Sequence, residues 1–240
     1  MGRKAVFQNV RELGAAFERF DRLMQSPEFL DLASALTGIP KLLYDPEYAG
    51  GGAHENLSGQ DLDPHVDFNF HPRTQLHRRL NLIVFLNPEW DQDWGGALEL
   101  HTGPTLPAEE NLIRKVVPLE NRCIIFETSE RSWHGFPRIE SPGPSRRSIA
   151  VYFYTKTRPA GQTAPSHGTF YQPRLLPEHF APGRVLTDED VHLLKVLLER
   201  RDTQIRFQHQ RELDFARIAQ SPTYRLVRLL TWPLRILLRR

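Results

Sequence analysis

His65-Val66-Asp67 constrains this chain more than any other stretch, because a third residue of matching chemistry, His134, lies 67 positions beyond Asp67 in Ser132-Trp133-His134-Gly135. In an extended segment residues i and i+2 point to the same side, so His65 and Asp67 can face one ion. Two histidines and one carboxylate fill one face of an octahedral metal and leave three positions open, the arrangement used for non-haem Fe(II). The third ligand then comes from a strand distant in sequence that folds back beside the first.

An H-x-D by itself also fits an ordinary solvated loop. Three further stretches argue against that. Ser145-Arg146-Arg147-Ser148-Ile149-Ala150-Val151-Tyr152-Phe153-Tyr154 alternates as a strand and puts Arg146, Ser148, Ala150 and Tyr152 on one face. An arginine fork with a hydroxyl two residues on suits a carboxylate. Arg147 competes as the anchor, but it shares its face with Ile149, Val151 and Phe153, which read as core. Arg78-Arg79-Leu80-Asn81-Leu82-Ile83-Val84-Phe85-Leu86-Asn87 reads as a strand with two largely apolar faces, hence central and covered on both sides. Trp94-Gly95-Gly96-Ala97-Leu98-Glu99-Leu100 reads as a glycine turn leading into another strand.

In this order the five elements resemble the Fe(II)/2-oxoglutarate oxygenases of the prolyl 4-hydroxylase-like type, over roughly residues 40 to 156. The resemblance implies a double-stranded β-helix, a jelly roll with the metal at its open end. It implies His65, Asp67 and His134 as iron ligands and Arg146 on the distal carboxylate of 2-oxoglutarate. Ser148 and Tyr152 would lie near that cosubstrate, and Ile83 and Phe85 would line its pocket. Phe85 stands where related animal prolyl hydroxylases carry a tyrosine. The carboxylate contact would then depend more on Arg146 and a second polar group such as Asn81. The cofactor set implied is Fe(II), 2-oxoglutarate and O2, with ascorbate as an optional reductant.

The expected fold class is α+β with a mainly β core. N-terminal helices over residues 1–40 pack on a double-stranded β-helix over 41–157. An extended connection follows over 158–186, then a C-terminal helical extension over 187–240. Apolar residues at Val10, Leu13, Phe17, Phe20 and Leu23 predict a helix over 8–24, and a second is expected over Pro27–Leu36, ending near Gly38. Gly50-Gly51-Gly52-Ala53-His54 has two readings: an entrance hairpin whose His54 touches substrate, or a flexible turn with His54 solvated. His71 and His77 lie near the motif but have no carboxylate at i±2, so a ligand role is not expected. Thr187-Asp188-Glu189-Asp190 reads as a capping box for the last helix.

The single cysteine, Cys123, excludes an internal disulfide framework and fits a reducing cytoplasm. Within Arg122-Cys123-Ile124-Ile125-Phe126 it reads as a small buried hydrophobe. The first residues mix charged and apolar types and do not read as a signal peptide. Net charge is +2, but residues 223–240 hold five arginines and no Asp or Glu, so the body is slightly acidic. No basic stripe interleaved with aromatics marks a nucleic-acid partner. The tail is too short and too charged to span a bilayer. It reads either as a basic amphipathic segment on an anionic membrane surface or as a terminal helix packed on the domain or a partner.

These features together predict an Fe(II)- and 2-oxoglutarate-dependent dioxygenase that hydroxylates prolyl residues or a related substrate and releases succinate and CO2. Two alternatives stay open. One is a hydroxylase of a small molecule or of a glycan or lipid precursor at a membrane surface. The other is a catalytically silent jelly-roll binding protein. The substrate, protein or small molecule, is not named by the sequence, and a homodimer is left open.

Overall fold

The computed structural model describes residues 5–107, 109–177 and 179–224. The chain divides into two compact units, residues 1–174 and 175–240. Most of the basic tail, residues 225–240, lies outside the described residues.

The first unit opens with strand β1 (Ala5–Phe7). The helix expected over 8–24 is realised as a 3-10 turn over Val10–Leu13 followed by α1 (Ala15–Gln25). Gly14 separates them with φ 115° and ψ 177°, backbone that a residue with a side chain rarely adopts. α2 (Pro27–Thr37) starts where Ser26 Oγ accepts from the Phe29 amide and stops at Gly38, φ 70°. Asp21 of α1 is buried and accepts hydrogen bonds from Arg11, Tyr44 and Tyr48. Burial alone would raise its pKa, but these bonds outweigh it and hold the carboxyl below its ordinary range.

Among the described residues ten more strands follow in this unit: β2 (Leu43–Tyr44), β3 (Gly52–Asn56), β4 (Leu62–Val66), β5 (His77–Phe85), β6 (Leu98–His101), β7 (Ile113–Val116), β8 (Cys123–Glu127), β9 (Trp133–Phe136), β10 (Arg146–Thr155) and β11 (Phe170–Tyr171). They form two antiparallel sheets, ordered β1-β3-β10-β5-β8 (with β2 on β10) and β11-β4-β9-β6-β7. This is a double-stranded β-helix. β5 lies inside its sheet, and its alternation separates two cores. Leu80, Leu82 and Val84 pack under the helices with Phe17, Phe20 and Met24; Ile83 and Phe85 face the other sheet with Leu98, Ala150 and Tyr152. The second core is where the two sheets meet, and the polar cavity described below opens from it.

Two expectations need correction. Residues 52–56 are neither a mobile hairpin nor a turn. They form β3, paired on both edges with β1 and β10, and His54 sits opposite Ser148. Within the extended connection Phe170–Tyr171 pair with β4, a contact the sequence reading did not include. Cys123 is exposed rather than core, because it begins β8, which ends the sheet order and has a partner on one side only.

In the second unit α3 (Asp188–Gln220) begins at the reciprocal cap: Thr187 Oγ1 accepts from the Asp190 amide, and Asp190 accepts from the Thr187 amide. No helix among the described residues is long and apolar enough to cross a membrane.

Candidate metal centre

His65 on β4 and His134 on β9 are direct cross-strand partners, so their side chains share a face. Their ring centroids are 4.2 Å apart. Gly135 permits this approach, because a Cβ there would lie 2.6 Å from the Leu62 carbonyl oxygen. Asp67 follows immediately after β4. His65 Nε2 is 3.7 Å from Asp67 Oδ1, and His134 Nε2 is 3.5 Å from Asp67 Oδ2. The candidate donor atoms of the three residues lie within 4.8 Å of one another.

The backbone fixes how the imidazoles present themselves. His65 Nδ1 is 3.0 Å from the Asp63 carbonyl oxygen, and His134 Nδ1 is 2.9 Å from that of Ser132. A carbonyl only accepts, so each Nδ1 carries a proton, and Nε2 is the nitrogen that faces Asp67. This is how metal-ligating histidines are usually oriented. Each ring uses the carbonyl two residues earlier, a consequence of its extended backbone.

A second group, Asp45, Glu47 and His71, also brings three ligand-type residues together, but with the opposite polarity. His71 Nδ1 accepts from the amides of Arg73 (3.2 Å) and Thr74 (3.1 Å). The proton therefore sits on Nε2, which points at Asp45 Oδ1 at 3.4 Å. With one nitrogen engaged by amides and the other bearing hydrogen, His71 has no lone pair to give an ion at this cluster. It knits a loop together.

Asp67 has a partner that sequence reasoning missed. Arg78 Nη2 donates to Asp67 Oδ2 at 2.8 Å, from a side chain with no solvent exposure. The guanidinium carbon lies 3.4 Å from the Tyr152 ring centroid and 4.4 Å from that of Phe68. Burial works against this cation, but Asp67, Tyr152 and Tyr154 outweigh burial and raise its pKa. Counting parity back from Leu80 puts Arg78 on the helix-covered side. A register irregularity between Phe153 and Tyr154, where Phe153 pairs with Leu80 and Tyr154 with Arg78, reverses that parity. The only signal in the sequence is the Arg78-Arg79 pair opening an otherwise apolar strand.

The cavity beside the triad is lined by His54, Asn81, Arg146 and Ser148, among others. Arg146 is buried. Its Nε donates to the Gly96 carbonyl at 2.6 Å, and its guanidinium carbon lies 4.3 Å from the Phe136 ring centroid. Burial lowers its pKa to about 10, and no acidic group is paired with it among the described residues. Arg147, by contrast, is exposed and bonds Glu55 at 3.0 Å. The Trp94-Gly95-Gly96 turn thus braces the buried arginine. Gly95 sits at φ 67° against the Arg138 carbonyl, and Gly96 offers its own carbonyl to Arg146.

The other expected pocket residues divide. Ser148 and Asn81 line the cavity, and Asn81 Oδ1 is a buried acceptor with no hydrogen-bond partner among the described residues. Tyr152 also lines it, but its hydroxyl donates to the Gly50 carbonyl at 3.0 Å, so the ring rather than the hydroxyl faces the site. Phe85 is fully buried, with its ring centroid 5.3 Å from the Arg146 guanidinium carbon.

Residues 51–154 match the profile of the 2OG-Fe(II) oxygenase superfamily. Prolyl 3-hydroxylase OGFOD1 of Mus musculus is 32% identical over 116 residues, 43% of this chain and 21% of the relative. The protein of the same name from Xenopus laevis is 31% identical over 77 residues, 32% of this chain and 15% of the relative. This chain therefore spans about a fifth or less of these curated relatives. Among solved structures, a prolyl 4-hydroxylase from Phytophthora capsici aligns with 82% of this chain and 56% of its own, at 18% identity and a TM-score of 0.46.

Proposed function

We propose that this chain, whose residues 51–154 match the 2OG-Fe(II) oxygenase superfamily, is a 2-oxoglutarate-dependent dioxygenase that hydroxylates prolyl residues. One observation carries the reading: His65 and His134, grouped with Asp67, line a cavity together with a buried arginine that has no acidic partner among the described residues. A structural metal site needs no such arginine; a dicarboxylate cosubstrate does.

His65, Asp67 and His134 would hold the metal. When bound, iron supplies O2 activation and the oxidation that splits 2-oxoglutarate to succinate and CO2 as one oxygen atom enters a substrate C–H bond. The chain's own groups bind and orient. Arg146, braced by Gly96, would pair with the distal carboxylate. Ser148 adds a hydroxyl on the same strand face, and Asn81 a second polar group lining the cavity. Phe85 and Phe136 keep water from the guanidinium, which strengthens its attraction for a carboxylate.

Prolyl residues are favoured as the target by the activity for which the two curated relatives are named. The test incubates Fe(II)-loaded protein, 2-oxoglutarate and O2 with proline-containing peptides and reads peptide mass. Gain of one oxygen atom on a prolyl residue supports the reading. Succinate release with no peptide oxidised would move the target to a small molecule. A second reading, membrane-surface contact through residues 223–240, is favoured by five arginines without an acidic residue. It predicts co-sedimentation with anionic but not neutral vesicles, lost on deleting 223–240. Equal sedimentation with both vesicle types would contradict it.

A further inference from the structure

Beyond β10 the chain leaves the matched region and returns to the sheet that carries the candidate histidine ligands. Residues 165–174 are held there at four points. Asn69, two residues past Asp67, donates to the Pro165 carbonyl at 2.8 Å and accepts from the His167 amide at 3.0 Å. His167 Nε2 meets the Glu130 carboxylate at 2.8 Å. The Gln172 amide donates to the Pro64 carbonyl at 2.8 Å. Arg174 bonds buried Glu99 at 3.0 Å.

This anchoring sets Tyr171 directly opposite His65. His65 is opposite His134, and His134 opposite Leu100, so Tyr171 stands in the same cross-strand row as both candidate histidine ligands. Its ring stacks on His65 at 5.1 Å and 29°. The Nδ1 bond to Asp63 sets the rotation of the His65 imidazole but leaves it able to tilt about that contact. Tyr171 on one side and His134 on the other remove the tilt. Without β11, β4 would be an edge strand.

Granted that His65, Asp67 and His134 bind iron as proposed above, we infer that Tyr171 is a positioning residue of the metal centre. Residues 165–174 are the brace that carries it, and Arg174–Glu99 is the latch. The metal site is then completed by chain outside the matched domain.

The test titrates Co(II) into metal-free protein and follows affinity and the visible d–d spectrum, with melting of the metal-free forms as a folding control. Tyr171→Phe keeps the ring and should stay within about twofold of wild type, whereas Tyr171→Ala should bind about tenfold more weakly with an altered spectrum. Arg174→Ala, which loosens the latch without touching the row, should shift both readouts in the same direction by less. Wild-type affinity and spectrum in Tyr171→Ala overturn the inference. If that variant does not fold, the same result in Arg174→Ala overturns it. A wild-type protein that binds no Co(II) overturns the metal reading and this one with it. Co(II) binding that is indifferent to Tyr171 and Arg174 overturns only the brace.

Discussion

Replacing Arg146 by methionine should weaken 2-oxoglutarate binding while leaving the fold as stable as before or more so. The burial that lowers this pKa from 12.5 to about 10 corresponds to about 3 kcal/mol of disfavoured charge at 1.36 kcal/mol per unit. No acidic side chain offsets it among the described residues, so an arriving carboxylate would. Truncating one partner of a buried, hydrogen-bonded charge pair costs about 2–5 kcal/mol, so a rise of about a hundredfold in the dissociation constant is expected. Arg146→Lys keeps the charge but loses the fork and the Nε bond to Gly96, and about tenfold is expected. Arg147→Ala breaks only an exposed pair with Glu55 and should stay within about threefold. Calorimetry of 2-oxoglutarate binding to anaerobic, metal-loaded protein measures all three, and thermal melts of the metal-free forms give the stability arm. An unchanged dissociation constant in Arg146→Met, or a larger loss in Arg147→Ala, would refute the reasoning. A sharp drop in melting temperature would refute the claim that this charge is uncompensated.

Further outcomes follow from the same geometry. Arg78→Met leaves Asp67 as a largely desolvated carboxylate without its cation and should destabilise metal-free protein by about 3 kcal/mol. Metal would then replace the missing charge, so the metal-induced rise in melting temperature should exceed that of wild type; an equal rise would mean that Arg78 and metal do not share Asp67. Burial would raise the Glu99 pKa, yet hydrogen bonds and charge from His101 and Arg174 hold it at about 2 against an ordinary 4.5. A depressed carboxylate pKa gives stability that is present above the ordinary value and lost as pH falls through the folded one. Melting profiles should therefore show an acid loss between about pH 4.5 and 2 that shrinks in Glu99→Gln, and superimposable profiles would contradict this. His71→Gln should lower stability but leave metal stoichiometry untouched, because His71 Nε2 carries a proton; loss of stoichiometric metal would reverse that assignment.

The features legible in the sequence are those governed by period two. Leu80, Leu82 and Val84 separate from Ile83 and Phe85 as the alternation requires, and the same parity tells buried Arg146 from exposed Arg147. Parity fails where the ladder slips. The irregularity at Phe153/Tyr154 turns Arg78 inward, and no residue preference marks it. Long-range pairing is equally hidden. Phe170–Tyr171 is too short to read as a strand and becomes one only because β4 offers it an edge. Cys123 reads as core from its apolar neighbours, but its exposure depends on β8 ending the sheet, a property of topology rather than of those residues. The glycines of residues 50–52 suggest a loop. In the fold they let the chain entering β3 lie close to its neighbours: a Cβ on Gly51 would sit 2.6 Å from the Ala150 carbonyl oxygen.

The most direct test of the central claim is succinate release from 2-oxoglutarate by protein reconstituted anaerobically with Fe(II) and then exposed to O2, comparing wild type with Asp67→Ala. Succinate from the wild type and none from the variant is the result predicted. Equal succinate from both, or none from a wild type supplied with iron, 2-oxoglutarate, O2 and prolyl peptides, would contradict the assignment of His65, Asp67 and His134 to a working iron centre.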